Sequence, residues 1–362
     1  MSQHRASLLP QKQGKLQVGT RPTAIPKGNQ ALVKVTAAAI NPVDWKVLDY
    51  GIFVDKFPAV LGTDGAGIIE SVGPDVTNFK VGDKVFFQGF YGRVDETTFQ
   101  EESIVETDII SKIPDNITDD QASTIPVAAL AALVGLFQKT AIDFPANGPT
   151  ANGKGVLILG GSSSVGQFVI QLARIAGFSP IVTTASAQHT ESLESLGATH
   201  VFDRNADAKT IQSVFATPVS LAFDAISVAS TQELAYEVLT TPSPVPGAHL
   251  SIVQLAADSI KGKNSDNKVT VHNVYGSSHL FRDLSVPFWQ NIGQWIKDGK
   301  FVPNRAQVGR VGCYSRSSGS FAQGCERCKA CYSSSRVIEM CRILVLILLI
   351  MFNGSQWLKT PR

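Results

Sequence analysis

The chain has 362 residues, 44% of them hydrophobic and 17% charged, with a formal net charge of +2. That length supports two domains with a sizeable core, and the composition excludes a disordered chain. So small a net charge excludes the basic field that nucleic-acid binding requires. The opening MSQHRASLLPQKQGKLQV has no apolar run of signal-peptide type, so a cytoplasmic protein is expected, with no membrane partner. Residues 28–110 read as β-rich: ALVKVTAAAI and AGIIESVG are apolar, β-branched runs of strand length, bounded by Gly and Pro. VGDKVFFQG follows, its Gly-Asp marking a tight turn. After the exit loop SKIPDNITDDQAS, Thr118 or Asp119 is placed to cap a helix through the Ala/Leu-rich stretch 121–138.

The pattern changes at Gly153. GVLIL is a continuous apolar strand of the kind found when helices cover both faces of a sheet. A helix follows with Phe168, Val169, Leu172, Ala173 and Ala176 at helical spacing, ended by Gly177. ESLESLGATHVFDR, LAFDAIS and HLSIVQL continue the alternation of helix and strand. An α/β fold with a doubly wound parallel sheet is expected from about 153 to 275.

Between that first strand and helix lies GGSSSVG, residues 160–166. Unpaired N–H groups and the helix dipole at such a turn attract a pyrophosphate, provided small side chains allow close approach. Gly160, Gly161, Ser162, Ser163, Ser164, Val165 and Gly166 are the candidate cradle. Strict G-x-G-x-x-G spacing would put glycine where Ser163 stands, so the strand–turn–helix context carries the assignment. NAD enzymes usually place a carboxylate at the end of the second strand. Here Thr184, Ala185 and Ser186 stand there, and the first acid is Glu191. A 2′-phosphate is therefore tolerated. Ser186, Ala187, Gln188, His189 and Arg204 are its candidate neighbours, and NADPH is the expected cofactor.

NPVDWK (41–46), FPAVLGTDGAGIIESVG (57–73), VGDKVFF (81–87) and the GGSSSVG turn together resemble the medium-chain dehydrogenase/reductase superfamily. The likeness is to its quinone-oxidoreductase-like branch, especially fungal trans-acting enoyl reductases that assist polyketide synthases. It runs from about residue 25 to 308. It implies a GroES-like, β-rich substrate domain over 1–125, a Rossmann NADP-binding domain over 126–275, and a return to the substrate domain over 276–308. The implied protein is a monomer or homodimer. Zinc-dependent members carry Cys where Asn41 stands and a His-Glu pair where Thr63 and Asp64 stand. Asn and Thr are poor zinc ligands, so no metal is expected there. The structural-zinc lobe is also missing from its usual place around GFYGRVDETTFQEES.

Without a metal, the implied reaction is reduction of an activated C=C in an enoyl thioester, enone or quinone. Hydride from NADPH reaches the β-carbon, charge builds on the carbonyl oxygen, and a proton follows at the α-carbon. By the resemblance Val43, Asp44, Trp45 and Lys46 lie near the cofactor, with Lys46 the first catalytic candidate and Tyr50 the second. Val274, Tyr275, Gly276, Ser277 and Ser278 match a segment that lines the substrate pocket. A non-catalytic NADPH-binding protein is the alternative from another functional class. A zinc-type alcohol dehydrogenase is the rival among enzymes.

From Gly309 the chain changes character: it carries net +6, while residues 1–308 carry net −4. All five cysteines (Cys313, Cys325, Cys328, Cys331, Cys341) lie there, in Ser/Arg-rich surroundings followed by the aliphatic run ILVLILLIMF. Ten apolar residues are too few to span a bilayer, which takes roughly 20. The expected helix and closing strand of relatives are not recognisable, so residues 309–362 are read as an atypical tail, out of frame or disordered.

Overall fold

The computed structural model describes residues 2–310 and 345–348. The five cysteines and the rest of the 309–362 tail lie outside the described residues. The N-terminal half is a set of antiparallel strands. In chain order they are β1 (Gln3–Leu9), β2 (Gln17–Pro22), β3 (Gln30–Ile40), β4 (Ala59–Val60), β5 (Asp64–Val72), β6 (Lys84–Gln88), β7 (Glu102–Glu106) and β8 (Ile110–Lys112). One short helix, α1 (Pro42–Tyr50), leaves β3 directly. Its Pro42 occupies the first turn, where no N–H is needed, and Gly51 ends it at a φ of 63°. The strands form a small sheet, β2-β1-β4, and a larger one in which β3, β5, β6 and β8 run side by side. β3 is the spine: its alanines 37–39 are fully buried, and it pairs with β5 along one edge.

The helix expected over 121–138 is broken. Thr118 caps α2 (Asp119–Ser123) through its hydroxyl, and a second helix, α3 (Pro126–Leu133), begins at the proline and runs into a π turn over Val134–Gln138. Pro126 has no N–H to continue the first helix, so the segment restarts there, with Ile125 itself keeping helical dihedrals (φ −88°, ψ −50°).

The second half alternates strictly: β9 (Val156–Leu159), α4 (Ser164–Ala176), β10 (Ile181–Thr184), α5 (Thr190–Leu196), β11 (His200–Phe202), α6 (Ala208–Gln212), β12 (Leu221–Asp224), α7 (Ala229–Thr240), β13 (Ala248–Ile252), α8 (Asp258–Lys263) and β14 (Val269–Asn273). All its strands are parallel, in the order β11-β10-β9-β12-β13-β14. β9, β10 and β12 are buried at every residue, as helices on both faces require. The chain then returns through α9 (Arg282–Lys297), whose Trp289 and Phe288 pack into the same core as Phe86 of β6.

The tail contributes two strands, β15 (Val308–Arg310) and β16 (Val345–Leu348). β16 lies parallel to Ala37–Ile40 of β3 and antiparallel to β15. The sequence reading gave this tail no place in the fold. The difference has a physical reason: β7 pairs only with Gln30–Lys34, which leaves the second half of that β3 edge open to an aliphatic segment of high strand preference. Among the described residues no helix is long and apolar enough to cross a membrane.

Candidate cofactor and substrate site

In a parallel sheet that reverses strand order between β9 and β12, the crevice lies off the carboxyl ends of the strands, at that reversal. The GGSSSVG turn leaves β9 at this point. Gly160 adopts a φ of +79°, and a Cβ at Gly166 would stand 2.3 Å from the Gly160 carbonyl oxygen, so both positions need glycine. Ser163 resolves the departure from G-x-G-x-x-G. It sits at the helix N-cap with a φ of −69°, which any residue adopts, and its hydroxyl accepts the Gly166 N–H at 3.0 Å. The first intrahelical bond runs from the Gln167 N–H to the Ser163 carbonyl. Among the described residues the N–H groups of Ser164 and Val165 find no acceptor, so two donors remain at the positive end of a 13-residue helix.

Beside this turn the β10 strand ends at Thr184, whose hydroxyl accepts the Gly160 N–H at 3.2 Å. Ser186 opens a short 3₁₀ turn over Ala187–His189, with Gln188 and His189 joined side chain to side chain at 3.2 Å. The β10–β11 register pairs Thr184 with Phe202, so Arg204 emerges, exposed, from the strand next to Ser186. No carboxylate lies between Thr184 and Thr190.

The other side of the site is a knot of buried polar groups. Asn41 caps α1, and its side-chain amide donates to Asp64 at 2.9 Å. The other Asp64 oxygen accepts the Val127 N–H at 2.7 Å, the first donor after Pro126. Asp44 accepts the Asn41 backbone N–H at 2.6 Å and the hydroxyl of Tyr91. Burial dominates both carboxyls. It pushes Asp64 up to about 8, helped by the nearby Asp44 charge and opposed by its two hydrogen bonds. It pushes Asp44 to about 6 against the Tyr91, Asn41 and Gly62 contacts. Burial thus disfavours the charged form of both carboxyls. Thr63 adds a buried hydroxyl with no partner among the described residues.

Further along α1, Val43 and Trp45 are half-buried. Lys46 is half-buried too, its ammonium 5.8 Å from the Trp45 ring centre, and burial lowers its pKa. Tyr50 is 59% exposed and meets Trp45 edge-on at 5.6 Å. The stretch Val274–Ser278 leaves the carboxyl end of β14 and crosses back to the antiparallel half. Gln88 of β6 grips it at both ends, donating to the Gly276 carbonyl at 2.8 Å and accepting the Ser278 N–H at 2.6 Å. Gly276 passes so close to Ala131 that a Cβ would stand 2.4 Å from its nitrogen. Ser277 is buried, and its hydroxyl caps the Leu280 N–H at 3.3 Å. Tyr275 packs on Phe53 with ring centres 5.6 Å apart and lies near enough to Tyr91 to raise its pKa further.

The structure thus gathers Asp44 and Lys46 on one helix and brings the 274–278 stretch to Phe53 and Tyr91. The sequence reading missed three of these groups: Tyr91, Gln88 and Asn304. Asn304 lies buried beside the phosphate turn and donates to the Ser164 hydroxyl at 2.8 Å, while its own carbonyl oxygen has no partner among the described residues. The neighbouring Val302 is held from α4 by both ends of the Gln171 amide. These contacts span more than a hundred residues of chain, and no local spacing announces them.

Residues 27–115 match the model of the alcohol dehydrogenase GroES-like domain, and residues 164–274 that of the zinc-binding dehydrogenase family. The trans-enoyl reductase tazE of Aspergillus terreus is 37% identical over 210 residues, spanning 56% of this chain and 69% of that protein. The dehydrogenase pigH of Monascus ruber is 38% identical over 224 residues, 58% of this chain, and the chain spans only 60% of its length. Among solved structures, an alcohol dehydrogenase superfamily protein from Novosphingobium aromaticivorans superposes with a TM-score of 0.69 at 22% identity, covering 83% of this chain and 88% of that one.

Proposed function

The chain belongs to the medium-chain dehydrogenase/reductase superfamily, and from that premise we propose that it is an NADPH-dependent oxidoreductase that reduces an activated C=C without zinc. The observation that carries this reading is the Asn41–Thr63–Asp64 knot. Zinc takes thiolate, imidazole or carboxylate ligands. Asn41 and Thr63 offer an amide and a hydroxyl, and both oxygens of Asp64 are already engaged, by Asn41 and Val127. This donor set does not fit a zinc ion. The 160–166 turn, by contrast, fits a dinucleotide: two N–H donors without an acceptor among the described residues at a helix start, glycine where a Cβ would intrude, and no carboxylate between Thr184 and Thr190 to repel a 2′-phosphate.

On this reading residues 1–125 and 276–308 form the substrate side and residues 126–275 the cofactor side. NADPH, when bound, supplies the hydride. The α4 N-terminus holds its diphosphate, and Ser186, Gln188, His189 and Arg204 receive the 2′-phosphate. Lys46 offers a cation to the carbonyl oxygen on which charge develops, and partial burial strengthens that interaction. Tyr50 is the second candidate donor. Val274–Ser278 shapes the wall against which the substrate lies. The name of the tazE relative supports an enoyl substrate, and a polyketide synthase that supplies a carrier-bound thioester belongs to the same proposal.

The test is loss of NADPH absorbance on addition of an enoyl thioester, a simple enone and a quinone, with and without a chelator. Turnover on at least one, untouched by the chelator, is the expected result. Lys46→Met should lower kcat roughly 100- to 1,000-fold, the range for one electrostatic donor. Tight NADPH binding with no turnover on any substrate would leave a binding protein. Activity abolished by the chelator would return zinc to the reaction.

A further inference from the structure

A second polar cluster lies outside the groups used above. It joins the 3₁₀ turn Val94–Glu96, the end of β7 at Glu106, and His279, which follows the 274–278 stretch. Ligand-type atoms of Glu96, Glu106 and His279 all lie within 4.8 Å of one another. The imidazole Nε2 points at the Glu96 carboxylate from 3.6 Å, too far for a hydrogen bond. Its ring lies tilted by 40° against Phe90 with centres 4.7 Å apart, and the His279 side chain is only 7% exposed. Its Nδ1 is buried without a partner, and neither nitrogen makes a hydrogen bond among the described residues. A buried imidazole normally has one.

We propose that Glu96, Glu106 and His279 form a binding site for a divalent transition cation, with zinc as the favoured occupant and water completing its shell. Zinc holds nitrogen and oxygen ligands at about 2.0–2.2 Å, which puts tetrahedral neighbours roughly 3.4 Å apart. The Glu96–His279 separation already has that value within a few tenths of an ångström. One imidazole with two carboxylates is a donor set of intermediate softness, suited to zinc and its neighbours in the first transition row.

A guanidinium competes for this place. One nitrogen of Arg93 bonds both Glu96 and Glu106 at 3.1 Å, while Arg282 holds the other Glu106 oxygen at 2.7 Å. The Arg93 side chain is 51% exposed, so it can swing into water when a doubly charged ion arrives. Arg282 can stay. The ion would then tie the 94–96 turn and β7 to the residue after Ser278, while Gln88 holds Gly276 and Ser278 without it, so turnover survives its removal.

The test is titration of the chelator-stripped full-length protein with Co²⁺, read by absorption. The tail cysteines also attract metal, but thiolate ligands add intense near-ultraviolet charge-transfer bands that carboxylate and imidazole lack. The expected result is one Co²⁺ with visible bands alone, displaced by Zn²⁺ and lost in His279→Ala and in Glu96→Gln. Arg93→Ala removes the competitor from an exposed position and should tighten binding roughly tenfold, about 1.4 kcal/mol. Three results would overturn the proposal: thiolate-type spectra only, binding unchanged in His279→Ala, or weaker binding in Arg93→Ala.

Discussion

The 160–166 turn and the Asn41–Asp64 knot are built from opposite materials. The turn is made almost wholly of backbone: two N–H groups, a helix dipole, and glycines that keep side chains away. The knot is made of side chains that hold one another, with charge suppressed by burial. A site made of backbone is indifferent to pH and intolerant of added atoms. A site made of buried carboxyls tolerates isosteric exchange and responds to protons.

Four measurements would break or sharpen that contrast. The largest effect belongs to the knot. Asp64 titrates at about 8 in the fold against 3.8 in the free side chain, so the folded state keeps a proton that the unfolded chain releases. The contribution of Asp64 to stability is then fullest below about pH 4 and is lost as pH rises to about 8, by up to ~1.4 kcal/mol per unit. Chemical denaturation at several pH values should show that slope. Asp64→Asn should flatten it, because Asn41 can turn its amide to meet the new one. An unchanged slope would mean that the proton resides elsewhere. Next comes the turn: Gly166→Ala sets a methyl group against the Gly160 carbonyl and should weaken NADPH binding about 100-fold, ~2.7 kcal/mol, by calorimetry at any pH between 6 and 8. Asn304→Ala removes one buried hydrogen bond to Ser164 and should cost about tenfold in the same titration. Arg204→Ala, at an exposed position, should shift the NADPH-to-NADH preference by only about fivefold, less than 1 kcal/mol.

The same contrast explains how much the sequence disclosed. The turn was legible because its rules are local: a strand, small residues, a helix, all within a dozen positions. Even Ser163, which broke the motif, obeys a local rule as an N-cap. The helix break at Pro126 was also written in the sequence, since a proline sits in the middle of the Ala/Leu stretch. Composition outweighed it in the reading, yet the proline decides the structure. Asn41 and Thr63 were read as poor zinc ligands and Asp64 as insufficient alone, but the link from Asp64 to Val127 and the proximity of Tyr91 to Asp44 were not foreseen. Tyr91 stands in a glycine-flanked loop and carries no periodic signal. Gln88 finds its partners at Gly276 and Ser278, nearly 190 positions away, and only the closed fold brings them together. The ILVLILLIMF run was weighed against a membrane span, while four of its residues pair as a strand.

That late strand has a consequence for how the molecule is made. Its neighbour, β3, precedes it by about 300 residues, and the two cannot pair fully until residue 348 has been synthesised. Until then one half of an edge of the longest strand offers bare N–H and C=O groups, while Gln88 waits equally for Gly276. A chain stalled before residue 348 therefore carries an open, pairing-prone edge on β3.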